Sequence, residues 1–534
     1  MKFLVISDLH YISPKVIIDD KNATISSACS LQALKDAQDR DDIDTILLTG
    51  DLTDRGDKPS HDELLGMLRE MKAKGKKIFV LTATHDFNHH RACTRMRGDT
   101  KANFTAKPWE LPYFVPEETD FRAILKPEFA ELSDEEITPK FLDVYTPLEL
   151  WDLYREFGRD EAYSVDNEGY SYCIDLDDDT RCLMLHDSFR NEEALSDNSP
   201  TYPPATLRWI RQMKKEADRD GKFLFICTHH PLVPPSPAYR IGAGNRNMRS
   251  EYSVHTLADM GINLAITGHT HFADVGFGKS PEGNTLCDIT TPSVRAYPPR
   301  YRIIDLDGKN GKIKYECITI SQPDVDTDGL PIEEYLRTQL KNEYLGKMLK
   351  LQKPLNKIVT EMRVKDFYFI CKNAAKLTNE EFDSVKDIKF FDLIIDTVFN
   401  MLSGDGKFTP ETPEYKLLMG LAATLDSIID AQPFVNLRKK LLKGYSVRDV
   451  IEPLCYNASV PDNNGEIDFT KMPEFDQSAR ISSNAGDLVM LIVCILAIPI
   501  SKILPYVAVV GLPAMTLAKK IKLKKNPPKD GYKY

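Results

Sequence analysis

Five short segments of this chain place aspartate or histidine directly after an apolar run. Phe3–Ile6 leads into Ser7-Asp8-Leu9-His10. Ile46–Leu48 leads into Gly50-Asp51-Leu52-Thr53-Asp54, and Ile78–Leu81 into Ala83-Thr84-His85-Asp86. Phe223–Cys227 leads into Thr228-His229-His230-Pro231, and Leu264–Ile266 into Gly268-His269-Thr270-His271. Asp-x-His and His-x-His put both side chains on one side of an extended segment, because side chains there alternate with period two. Imidazole and carboxylate together suit Mn, Fe, Co, Ni or Zn better than Ca or Mg. A carboxylate such as Asp51 can bridge two ions. Two ions about 3.5–4 Å apart activate a water and stabilise both oxygens of an in-line displacement, a geometry suited to phosphate esters. Singly these motifs mean little: Asp-x-His reads as well as a surface turn, and Gly-Asp-x-x-Asp as a turn with solvated carboxylates. Only the ordered set, each member behind a strand, points to a metal site.

The apolar runs that must position these residues are short and rich in Val, Ile, Leu and Phe. They suit strands buried on both faces. Helical patterns lie between them, as in Leu207, Ile210 and Met213. Ser60 with Glu63 predicts a capping box before Leu64, Leu65, Leu68 and Met71. The alternation predicts a layered α/β fold, in which sites form at the carboxyl ends of strands. Residues about 88–165 interrupt it with a stretch rich in Pro, aromatic and acidic residues that reads as an insertion able to cover a site. Tyr170–Leu176 and Arg181–Leu185 read as a strand pair.

The five segments resemble the motif set of calcineurin-like metallophosphoesterases, over residues 1 to about 320. The resemblance implies a four-layer α/β/β/α sandwich with two mixed sheets. It also implies a hydrolase acting on a phosphomonoester or phosphodiester through a hydroxide bridging two divalent transition-metal ions (Mn, Fe, Zn, Co or Ni). Carried over, Asp8, His10 and His271 would hold one ion, Asp51 would bridge, and His229 and His269 would hold the other. His85 would contact the phosphoryl oxygen or protonate the leaving group. Asp54 and Asp86 would orient ligands, and His230 is either such a partner or structural. His89 and His90 read as exposed loop residues. One position departs from the family pattern: Thr84 stands where an asparagine amide usually meets the second ion. A threonine hydroxyl is shorter and a poorer neutral ligand. Asp54-Arg55-Gly56 is similar to a serine/threonine protein phosphatase motif, but the Arg-Gly-Asn-His-Glu stretch of that branch is absent. The alternative reading is a metal-binding scaffold or partner-binding protein that keeps the fold with weak or no turnover.

The chain has 534 residues, 42% hydrophobic and 28% charged, with a net charge of −11. That length suggests several domains, and the composition can bury cores. No basic face precedes the last residues, which disfavours nucleic acid as a partner. The ten cysteines form no Cys-x-x-Cys pair and read as reduced core thiols of a cytosolic protein. The expected division is a phosphoesterase domain over 1–325, an all-α accessory domain over 330–480 and an apolar segment over 487–518. A basic tail over 519–534 follows. Thr378 with Glu381 predicts a capping box in the helical part, and Leu393, Ile394, Val398 and Leu402 a helix. Residues 457–485 read as a polar linker. Leu488–Ile500 and Ile503–Ala518, split by Lys502, are long enough together to cross a membrane. With Pro499 and Pro505 they read better as a re-entrant or interfacial hairpin that keeps both ends cytoplasmic, the alternative being a buried helical hairpin in the accessory domain. A membrane surface is therefore an expected partner beside the phosphate-ester substrate.

Overall fold

The computed structural model describes residues 1–17, 20–87, 120–137, 142–188, 200, 202–233, 250–349, 360–404, 406–430, 446–455 and 460–472. His89, His90, residues 88–119 of the expected insertion and the whole 487–534 region lie outside them. Among the described residues no helix is long and apolar enough to cross a membrane.

The chain divides into two compact units. The first comprises Met1–Leu340, Phe399–Gly406 and Tyr456–Ser483 and holds two mixed sheets. The first sheet contains β1 (Lys2–Ile6), β2 (Thr45–Thr49) and β3 (Lys77–Leu81), all parallel. The second contains β4 (Ser164–Asp166), β5 (Ser171–Asp175), β6 (Thr180–Leu185), β7 (Phe223–Thr228) and β8 (Leu264–Thr267), followed by β9 (Asp274–Lys279) and β10 (Thr285–Thr290). Its order is β4-β5-β6-β7-β8-β10-β9. β6, β7, β8 and β10 run parallel, and the outer pairings are antiparallel. The chain then returns to the first sheet with β11 (Arg300–Asp307), β12 (Lys312–Thr319) and β13 (Gly465–Asp468), giving the order β13-β12-β11-β1-β2-β3.

Strand alternation builds the layers. On β1, Phe3 and Val5 enter one core with Leu47, Phe79 and Leu81 of the same sheet and Met184, Phe225, Cys227 and Ile266 of the other. Leu4 and Ile6 point the opposite way, into a core with Leu34 of the helix Lys21–Gln38 and Leu64 and Leu68 of the helix Lys58–Ala73. The second sheet does the same. Leu183, Ile226 and Ala265 pack on Ile210 and Met213 of the helix Pro204–Asp220 and on Leu257 of the helix Ser250–Asp259. The layers are thus helix, sheet, sheet, helix. The Phe3 and Phe225 rings stack between the sheets with centroids 5.8 Å apart. Truncating Phe225 to alanine would cost about 3–5 kcal/mol, the lost transfer energy plus the cavity left between two rigid sheets.

Two expectations change. The helix Lys58–Ala73 is capped by Asp57, whose side chain accepts from the Ser60 amide. Ser60 and Glu63 therefore form no capping box: Ser60 Oγ accepts from the Ser13 amide, and Glu63 bonds Tyr11 and Lys15. Proline at the second helical position sets the earlier start, since its fixed φ suits the first turn and its missing N–H is not needed there. Within the 457–485 stretch, Gly465–Asp468 is a strand paired with β12, not linker. The fully buried Arg302 ties it in, donating from Nη2 to the Asp462 carbonyl at 2.8 Å. Its polar composition hides a strand that lies at a sheet edge.

The second unit contains Lys341–Val398 and Lys407–Cys455. Its described residues form helices, including Val364–Ala375, Asn379–Val385, Pro413–Ile429 and Val447–Cys455. Thr378 and Glu381 form the expected capping box. Leu417, Leu421, Ile451 and Leu454 are buried.

Candidate metal centre

β1, β2 and β3 of one sheet and β7 and β8 of the other each deliver a loop from the carboxyl end. These loops bring Asp8, His10, Asp51, His85, His229, His230, His269 and His271 into overlapping groups of potential ligands. Within each group one nitrogen or oxygen per residue lies within 4.8 Å of the others. The groups are Asp8-His10-His271, His10-Asp51-His85, Asp8-Asp51-His229 and His229-His230-His269.

The backbone is bent to do this. Asp8, His10, Asp51, His269 and His271 all have positive φ, between 45° and 69°, and supply five of the eight such non-glycine residues described. Aspartate and histidine visit this region more readily than most residues, but each visit carries some strain, which persists where the surroundings fix it. The fixing contacts are visible. The amides of Asp8 and His10 donate to the carbonyls of Gly50 and Asp51 at 3.1 and 2.8 Å, locking the first loop to the second. Asp8 Oδ2 accepts from Ser7 Oγ and from the His269 amide, the latter at 2.9 Å, joining the two sheets through one carboxylate. Gly268 must be glycine: a Cβ there would lie 1.8 Å from Ser7 Oγ and 2.8 Å from Asp8 Oδ2.

Asp8 Oδ1 is buried and has no hydrogen-bond partner. Nε2 of His271, His10 and His229 stand 3.2, 3.7 and 4.0 Å from it. His10 Nε2 and His271 Nε2 are 3.2 Å apart. Buried polar atoms are nearly always satisfied, so a carboxylate oxygen aimed at several imidazole nitrogens without bonding them fits a cation between them. Asp51 has the shape of a bridge. Its Oδ1 accepts from the His85 amide at 2.9 Å, while Oδ2 lies 3.1 Å from His229 Nε2 and 3.8 Å from His10 Nε2. His229 Nδ1 donates to the Thr49 carbonyl at 2.9 Å, which leaves Nε2 to bind. The donor set therefore fits two transition-metal ions.

The electrostatics agree. Burial alone would raise the Asp8 and Asp51 carboxyls, but His271 and His10 hold Asp8, and His229 and His85 hold Asp51, well below the usual carboxylate range. Burial, with Arg295 and His85 nearby, pushes His10 down to about 3, and burial beside His230 and His229 lowers His269. Those two imidazoles are neutral, ready ligands. His229 differs: burial works against its charge, but Asp51, Asp8 and Asp187 raise it to about 10.

The remaining expected residues fall around this core. The Thr84 hydroxyl reaches Asp51 Oδ1 at 3.4 Å, a long bond to the bridging carboxylate. His85 is exposed at the rim, and its Nδ1 donates to the Asp54 carbonyl at 2.7 Å. Asp54 Oδ1 stands 3.7 Å from His10 Nδ1 and 3.6 Å from Arg295 Nη2. Asp86 touches backbone: it accepts from the amides of Thr53 and Ala83 at 2.9 and 2.8 Å, tying the second loop to the third.

Sequence reasoning passed over two residues near these ligands. Asp187, two residues beyond β6, accepts from His230 Nδ1 at 3.0 Å and the His230 amide at 2.7 Å. Its signal was the same as for the others, an apolar run ending in His186-Asp187. Arg295 sits in the connection between β10 and β11, beside Asp54, and no motif marks it.

The family model for calcineurin-like phosphoesterases matches residues 1–273. No curated protein matches the chain. Among solved structures it is similar to a dimetal phosphatase from Danio rerio, at 15% identity and a TM-score of 0.36, covering 60% of this chain and 99% of that one. It is also similar to a purple acid phosphatase from yellow lupin (Lupinus luteus) seeds, at 11% identity and a TM-score of 0.33, covering 61% of this chain and 52% of that one.

Proposed function

Because this chain belongs to the calcineurin-like phosphoesterase family, we propose that it is a dinuclear metal-dependent hydrolase of phosphate esters. The observation that carries this reading is Asp51. One buried carboxylate lies between the Asp8-His10-His271 group and His229, held from behind by the His85 amide. When bound, two divalent ions would supply Lewis acidity and an activated water as nucleophile.

The chain's own residues do the rest. Asp8, His10 and His271 would hold one ion, His229 and His269 the other, with Asp51 shared between them and Thr84 beside it. The loop contacts fix their spacing before any ligand arrives, so little reorganisation is needed when charge develops. His85, exposed at the rim with Nδ1 committed to the Asp54 carbonyl, offers Nε2 to the phosphoryl group. There it can bond an oxygen or pass a proton to the leaving group. Arg295 and Arg55 put guanidinium groups 3.6 and 3.7 Å from the Asp54 carboxylate. Arg295 is placed to share itself between Asp54 and an incoming phosphate oxygen. Asp54 and Asp86 hold the surrounding loops in register.

The helical unit is read as an accessory domain, and the 487–518 segment as a membrane-surface contact that leaves the catalytic domain cytoplasmic. The experiment is a screen of aryl phosphate monoesters and diesters with the full chain, stripped of metal and then reconstituted with Mn(II), Zn(II), Co(II), Fe(II) or Ni(II). Hydrolysis that appears with metal, disappears with chelator and is abolished in His229→Ala supports the reading. Hydrolysis that survives chelation and that substitution rejects it.

A further inference from the structure

We infer that His230 is a direct ligand of the second metal ion, supplying the donor that Thr84 does not. This rests on the dinuclear reading and adds to it a residue that a second, structural role could equally have claimed.

His230 is built as a ligand. It is 2% exposed. Its Nδ1 donates to Asp187 Oδ1 at 3.0 Å, which leaves Nε2 as the nitrogen that can meet an ion. Asp187 is itself buried and tied down, accepting at Oδ2 from the His230 amide at 2.7 Å and from Thr228 Oγ1 at 2.8 Å. A carboxylate behind an imidazole fixes ring orientation and raises ligand basicity, the usual support of a metal-binding histidine. His229 is constructed the same way, with the Thr49 carbonyl in the place of the carboxylate.

The ring also arrives in the right place. One nitrogen each of His229, His230 and His269 lie within 4.8 Å of one another. The ring centroids form a closed triangle of 4.2 Å (His230–His269), 4.9 Å (His229–His230) and 5.2 Å (His229–His269). The loop carrying His229 and His230 is anchored at its far end as well, because Asp288 Oδ2 accepts from the amides of Leu232 and Val233 at 2.6 and 3.0 Å. Imidazole nitrogens this close repel one another when protonated and are held together by a cation, with His229 and His230 buried and His269 half-buried. Thr84, for its part, directs its hydroxyl to Asp51 Oδ1.

With His230 included, the second ion would draw on Asp51, His229, His230 and His269, with the water as a fifth donor. The first has Asp8, His10, His271 and Asp51. The second site is richer in imidazole nitrogen and so favours Zn(II) or Co(II) over Mn(II) more than the first does.

The test is calorimetric titration of the metal-free full chain with Zn(II), alongside the visible spectrum of the Co(II)-loaded protein. Wild type takes up two ions. His230→Ala and His230→Gln keep the tight first ion but weaken the second by about 100-fold or more, beyond the range for an outer partner, with altered second-equivalent Co(II) bands. Asp187→Asn, which changes a positioning residue, weakens it by about 10–100-fold. Adding Thr84→Asn to His230→Ala restores much of the loss by returning an amide oxygen, a rescue that a merely structural His230 would not show. Should both His230 variants fail to fold, an anomalous map of zinc-loaded wild-type crystals decides, with the ion about 2.0–2.1 Å from His230 Nε2 if it is a ligand. Two ions bound with unchanged affinity and spectrum in folded His230→Ala, or a zinc more than about 3 Å from that nitrogen, overturn the inference. A wild type that binds only one ion overturns the dinuclear reading, and this inference with it.

Discussion

The two halves of the candidate centre are made by different means. The Asp8, His10 and His271 half draws on β1 of one sheet and β8 of the other, and His10 is a neutral imidazole before any ion arrives. The His229 and His269 half draws mainly on the second sheet, and its His229 is charged, raised to about 10 by three carboxylates. His10 is poised as a ligand, and His229 must lose a proton to become one. The difference teaches that five motifs in order do not by themselves make two equivalent sites, and that the second ion's affinity is where this chain can be tuned.

The comparison can be broken most severely at the residue both halves share. Asp51→Asn should lower kcat/KM by about 10³-fold or more, since losing one bridging charge forfeits several kcal/mol of transition-state stabilisation. Steady-state hydrolysis of an aryl phosphate at saturating metal checks this. His85→Ala should leave both ions in place and lower kcat by about 10²–10³-fold, the usual worth of a proton donor. The loss should be smaller for a substrate with a more acidic leaving group, which needs no proton. Arg295→Ala should raise KM about tenfold with a smaller change in kcat, matching one charge-assisted hydrogen bond of about 1.5 kcal/mol to the substrate. If kcat falls instead and KM holds, Arg295 acts on His10 and Asp54 and not on the phosphate.

A further expected effect separates the halves by pH. Metal-free His229 keeps its proton until about pH 10, and an ion can bind only the deprotonated nitrogen. Loading the second site at pH 8 should therefore release close to one proton. Its apparent affinity should fall about tenfold per unit as pH drops below 10, while the His10 side, already neutral, releases none from that residue. Titration in buffers of different ionisation enthalpy measures the difference. Equal proton release from both equivalents would erase the asymmetry.

Much of this was legible in the sequence because the chemistry follows strands that alternate between two cores. Phe3 and Val5 against Leu4 and Ile6 mark β1 as buried on both faces, and Asp8 and His10 follow at once. What was not legible depends on partners distant in the chain. Nothing local says that His230 meets Asp187, or that Arg295 stands beside Asp54. The strand Gly465–Asp468 was hidden by its polar residues, because only its pairing with β12 and the reach of Arg302 define it. The helix start at Asp57 was missed because Ser60 and Glu63, correctly spaced for a cap, bond across the fold instead.

The central claim is that one carboxylate joins two ions into a single centre. Elemental analysis of the full chain after metal loading and removal of free ions tests it most directly, on wild type beside Asp51→Asn. The account predicts two ions per wild-type chain and one or none in the variant. A wild type that retains a single ion, or an Asp51→Asn protein that keeps both as tightly as wild type, would contradict it.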